Sequence, residues 1–183
     1  MPAPIVRPIV WAFSDESERA GVMLLSVVTI GPGDVDDARR ALRALLLPGQ
    51  RRVHTADESD RRRRALLGTV AAIEGISAVV WRYRRPAGTG RVAARRHLLT
   101  GAARALIEAD VAAWVLDDVH PAQRLRDREA IARVVGHRLV YDHRRNHTEP
   151  LLWAADAIVW AVGAGGHWRA EVAAIVKVRD TTS

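Results

Sequence analysis

Three stretches of this chain place acids where the surrounding sequence would exclude them. The first is Ile9-Val10-Trp11-Ala12-Phe13-Ser14-Asp15-Glu16-Ser17, an apolar run that reads as a buried strand and closes on two carboxylates. The second is Val111-Ala-Ala-Trp-Val-Leu116, a short apolar strand ending in Asp117-Asp118. The third is Pro150 to Val162, which reads as a helix apolar all round, with Asp156 as its lone charge. A buried carboxylate costs several kcal/mol unless something compensates it. A metal ion, a basic partner or a substrate would serve, and a salt bridge to one of the many arginines is the purely structural alternative.

Strand alternation sorts the paired acids. If Asp15 faces a crevice, Glu16 points to the opposite face of the sheet. The same rule separates Asp117 from Asp118, and the carboxyl ends of strands line the ligand crevice of α/β sheets, which favours Asp117. The segment Val53-His54-Thr55-Ala56-Asp57-Glu58-Ser59 adds His54, able to ligate a metal or move a proton, and Glu58, a ligand candidate or the start of a helix. Arg61 to Arg64 follow as a solvated helix face that would suit a phosphate backbone. His143 and His147 have the spacing of half a zinc site with no second half, and read better as a surface loop. No phosphate-binding loop, dinucleotide fingerprint or nucleophile elbow is present.

These residues need a scaffold, and the periodicity supplies one. Strands are expected over 8–16 and 21–30, joined as a hairpin across the polar segment 17–20. Helices follow over 34–47 and 58–73, then a strand over 76–83, a helix over 92–108 and a strand over 111–116. A helix over 122–135, a short strand over 138–141, a polar loop over 142–147 and the helix over 150–162 come next. The tail, 168–178, fits strand or helix. This order gives an α/β domain with a mixed sheet.

Composition narrows the function classes. The chain has 183 residues, 49% hydrophobic, consistent with one globular domain spanning 1–183. No apolar run is long enough for a bilayer, and Met1-Pro2-Ala3-Pro4 does not read as a signal peptide, so a cytoplasmic protein with no membrane partner is expected. Cysteine is absent, which excludes disulfides and thiolate-metal sites. The net charge of +7 rests almost wholly on arginine, Lys177 being the single lysine. A basic balance of this kind points to a polyanion such as nucleic acid, while GC-rich codon usage is the bland explanation. Aromatic residues are 5% of the chain, too few to display a stacking platform for single strands. Six tryptophans leave room for an apolar face that would support a homo-oligomer.

The pattern resembles a family. Phe13-Ser14-Asp15-Glu16-Ser17 looks like the Asp-Glu-Ser signature of the domain of unknown function 3800 family, which belongs to the ribonuclease H-like fold group. Val53-His54 through Glu58 resembles its histidine–acid segment. Val115-Leu116-Asp117-Asp118 is similar to its central strand, and Leu151-Leu152-Trp153-Ala154-Ala155-Asp156 to its final helix. The resemblance runs from about residue 8 to 163 in short motifs. It departs where Ser17 and Arg19 stand in a turn that commonly carries glycine, and where Trp153 replaces a frequent glutamine.

The resemblance implies a ribonuclease H-like mixed sheet flanked by helices and a metal-dependent nuclease centre. Asp15, Asp117 and Asp156 would hold magnesium or manganese, since oxygen-only ligands suit hard cations. Two such ions would activate a water and stabilise the leaving oxygen of a phosphodiester. Glu16, His54 and Glu58 follow as ligand or proton-transfer candidates. The alternative reading, motivated by Trp153, is a non-catalytic module of the same fold that binds nucleic acid or a partner protein.

Overall fold

A computed structural model describes residues 10–181. Residues 8 and 9 of the expected first strand lie outside that range, as do the ends of the expected 1–183 domain. Strand β1 (Val10–Arg19) and strand β2 (Val22–Ile30) form an antiparallel hairpin. The polar segment 17–20 does not break β1. Glu18 pairs with Met23 and Arg19 with Val22, so the strand runs to a two-residue turn at Ala20-Gly21. Both turn residues have positive φ, 48° and 75°, which matches the right-handed twist of the hairpin and favours glycine at the second position.

Helix α1 (Val35–Arg43), a single 3₁₀ turn at Thr55–Asp57 and helix α2 (Asp60–Ala71) lead to strand β3 (Ser77–Arg84), antiparallel to β2. Helix α3 (Arg91–Glu108), strand β4 (Val111–Asp117), helix α4 (Pro121–Val135) and strand β5 (Val140–Arg144) follow. Both strands are parallel additions on the far side of β1. Helix α5 (Leu151–Ala164), helix α6 (Gly166–Glu171) and strand β6 (Val176–Asp180) end the described chain. The six-stranded order is β5-β4-β1-β2-β3-β6.

Further expectations change, the helices expected over 34–47 and 58–73 being shorter as α1 and α2. The strand expected over 138–141 lies at 140–144, because Leu116 and Asp117 of β4 pair with His143 and Arg144 and pull the segment into the sheet. His143 is therefore buried and not part of a surface loop. The ambiguous tail divides into a helix and a strand, the latter pairing in parallel with β3.

The sheet separates two cores. Phe13, Val28 and Val115 face a layer containing α1, α2, α5 and α6. Ala12, Trp114 and Leu116 face α3 and α4. The period of two along each strand makes this division, and it decides where each acid points. Among the described residues, no helix is long and apolar enough to cross a membrane.

Candidate active site

Asp15 shares the parity of Phe13, and Asp117 that of Val115, so both carboxylates face the α5 layer. β1 and β4 are parallel neighbours, with Ser14 opposite Leu116, which brings the two acids to the same end of the sheet. α5 packs on β1 and β2 and presents Asp156 there. Asp15, Asp117 and Asp156 line one cavity of about 160 Å³, together with Glu16, Arg52, Val53, His54, Asn146, Leu152 and Trp153.

The electrostatics mark this as a crowded negative site. Burial pushes the Asp15 carboxyl well above its ordinary range, and the charges of Asp156 and Asp117 push it further. Asp117 is raised as well, chiefly by burial. Its hydrogen bonds from Asp118 N–H at 2.8 Å and Asn146 Nδ2 at 3.5 Å, and the charge of Arg52, oppose that rise. Among the described residues, no arginine forms an ion pair with Asp15, Asp117 or Asp156.

Local backbone holds each acid by one side. Asp15 Oδ1 accepts the Glu16 N–H at 2.7 Å. Asp156 Oδ2 accepts both the Thr55 N–H at 2.7 Å and the Thr55 hydroxyl at 2.8 Å. His54 stands beside them, with Nε2 3.9 Å from Asp156 Oδ1 and Nδ1 3.0 Å from Asp57 Oδ2. Trp153 donates its Nε1–H to the Asn146 carbonyl at 2.7 Å, so it supports the loop that carries Asn146 to Asp117.

Glu16 has a different setting. It reaches the rim of the cavity, yet its carboxylate pairs with Arg95 and with Arg91, the latter at 3.2 Å, both from α3. Arg95 also makes a bidentate pair with Asp127 at 2.8–3.1 Å, and Asp127 accepts from Gln123 at 2.8 Å and lies 3.2 Å from His143 Nε2. Burial would raise Asp127, but its hydrogen bonds from His143 and Arg95 outweigh that and bring it to about 2. Glu58 is drawn away from the cavity: it binds Arg62, and Gln50 Nε2 donates to it at 3.1 Å. Burial alone would raise Glu58, yet Arg62 and Gln50 leave it below its ordinary value. Asp118 turns to Arg124.

Sequence reasoning missed Thr55, Arg52, Asn146 and Arg95. Thr55 carried no separate signal within its polar segment. Arg95, by contrast, sits at a helix position otherwise occupied by core residues, between Ala94 and Leu98, and that placement was readable.

The donor chemistry fits a hard divalent cation: three carboxylates line one cavity, and burial, with the charges of their neighbours, raises Asp15 and Asp117. The spacing is more open than the chemistry. Among the described residues, no group of three or more His, Asp or Glu side chains is drawn together closely enough to hold a metal ion as it stands.

Among solved structures, the chain is similar to one in the PCNA:RNase HII complex from Archaeoglobus fulgidus. The TM-score is 0.51 at 18% identity, covering 84% of this chain and 72% of that one. At that identity the likeness speaks for the fold, and the fold is α/β and ribonuclease H-like, a mixed sheet flanked by helices. No family model matches the chain, and no curated protein does.

Proposed function

We propose that this protein is a divalent-metal-dependent nuclease of the ribonuclease H-like group, akin to the domain of unknown function 3800 family. The observation that carries the reading is the convergence of Asp15, Asp117 and Asp156, from two neighbouring strands and a buried helix, on one cavity, none of them in an ion pair with an arginine among the described residues. A bound magnesium or manganese ion would supply that neutralisation, and Lewis acidity toward a phosphodiester oxygen.

The chain's own residues have separate parts. Asp15, Asp117 and Asp156 would hold the cation. Thr55 fixes Asp156 through two hydrogen bonds to one oxygen. Trp153 and Asn146 fix the approach to Asp117. His54, oriented by Asp57, stands where it can accept or return a proton beside Asp156. Glu16 is committed to Arg95 and acts from the opposite face of the sheet as a fixed neighbour of Asp15. Arg52 brings a positive charge to the cavity wall, suited to a phosphate.

The test is cleavage of labelled DNA and RNA in magnesium. Wild-type protein should cleave, and Asp15→Asn should abolish cleavage; equal rates would overturn the assignment. The open spacing of the acids favours a second reading, a ribonuclease H-like module that binds nucleic acid without cutting it. That reading expects binding without cleavage, and no measurable manganese binding.

A further inference from the structure

Several arginines of the α5 layer are paired with acids. Arg39 pairs with Glu149, Arg62 with Glu58, and Arg63 with Asp60. Arg19 and Arg64 are exposed and have no acidic partner among the described residues. Aromatic rings hold them instead. The Arg19 guanidinium lies 5.6 Å from the centre of the Trp160 ring, and that of Arg64 lies 5.4 Å from the centre of the Trp168 ring. The two tryptophans meet edge to face, with centroids 5.2 Å apart. A guanidinium stacked on indole keeps its charge and its N–H donors while losing much of its freedom.

This cluster is joined to the carboxylate cavity. Trp160 is four residues after Asp156 on α5, one turn along the same face. Arg63 stacks on Trp160 at 4.6 Å and donates to the carbonyls of Thr55 and Ala56 at 3.0 and 2.8 Å. It thereby ties the ring to the turn that grips Asp156. Gly163 gives Arg19 its place: a Cβ there would stand 3.2 Å from Arg19 Nε. Arg19, the one arginine of the β1–β2 hairpin, runs close over α5 at this position.

From this arrangement we infer that Arg19 and Arg64 form a track for the phosphodiester backbone of nucleic acid, leading from the cavity along the outer face of α5 toward α6. The inference rests on the reading that the cavity acts on nucleic acid. Two pre-stacked, unneutralised guanidiniums beside a site that needs a phosphodiester delivered are charge-complementary to a backbone. The rings are already covered by arginines, so the track reads phosphates and not bases.

The test is fluorescence anisotropy with a fluorescein-labelled oligonucleotide, single-stranded or annealed, in EDTA so that no cleavage occurs. The Arg19→Gln/Arg64→Gln double variant changes two exposed side chains and leaves the core intact. It should weaken binding about tenfold or more, and reduce the slope of log K against log salt by about 1.4 on single strands and about 1.8 on duplex. Arg133→Gln, on α4 across the sheet, should leave the slope unchanged. The arm with the larger loss identifies the form of nucleic acid the track accepts. Wild-type binding with an unchanged slope in the double variant would overturn the track while leaving the nuclease reading to its own cleavage test. Absence of wild-type binding in both arms, with magnesium-dependent cleavage retained, would also overturn the track.

Discussion

Asp15 and Glu16 are adjacent in sequence and opposite in circumstance. Asp15 faces the α5 layer with Asp117 and Asp156, and its pKa is driven up by burial and by those two charges. Glu16 faces α3, where Arg95 binds it and Asp127 together, and Asp127 falls to about 2. Glu16 and Asp127 are neutralised by arginine and histidine on one face of the sheet, while Asp15, Asp117 and Asp156 on the other form no ion pair with an arginine among the described residues. A chain with arginine to spare could have paired both sets. On the proposed reading, the unpaired set meets a ligand and the paired set is a brace behind it.

The comparison breaks most visibly on the braced side. Arg95→Met leaves Asp127 and Glu16 without their shared cation, and should destabilise the protein by about 3–5 kcal/mol in urea denaturation. A loss below about 1 kcal/mol would show that the brace carries no weight. On the repelling side the sign reverses. Asp15→Asn removes one of three crowded charges, and should stabilise the metal-free protein at neutral pH. Destabilisation would mean that Asp15 is already compensated.

The pH dependence separates the two faces. Asp15 and Asp117 have raised pKa values, so their contribution to stability is full below the ordinary value of 3.8 and is lost as pH rises through their folded values. Asp127 is lowered, so its contribution is present above 3.8 and is lost as pH falls toward about 2. Metal-free protein should gain stability as the pH drops from neutral toward 4, then lose it below. Asp15→Asn should flatten the first limb and Asp127→Asn the second. A wild-type curve with no rise between neutral pH and 4 would contradict the repulsion.

Smaller effects sharpen the picture. Thr55→Val keeps the backbone N–H to Asp156 and removes the hydroxyl, and should cost roughly 1–2 kcal/mol in manganese affinity. Trp153→Phe loses the bond to the Asn146 carbonyl and should cost about 1 kcal/mol in stability with the fold unchanged. Trp153 uses its indole N–H to hold a cavity loop.

The sequence carried the fold wherever periodicity was strong. The hairpin, the all-apolar α5 and the alternating strands and helices follow from spacing, and alternation placed Asp15 and Glu16 on opposite faces. It failed where pairing, not local preference, decides the structure. β5 shifted because β4 offered it partners, and the tail became β6 because β3 had a free edge. The site was legible as isolated acids in apolar sequence, since such acids advertise an unmet cost. Thr55 and Asn146 were not, because a polar residue in a polar loop looks the same whether or not it holds a carboxylate.

The central claim is that Asp15, Asp117 and Asp156 form a cation-binding centre and that Glu16 does not belong to it. Isothermal titration of manganese into wild type, Asp15→Asn and Glu16→Gln tests this most directly. The account predicts binding to wild type, its loss in Asp15→Asn and its retention in Glu16→Gln. No heat of binding in the wild type, or equal binding in Asp15→Asn, would contradict it.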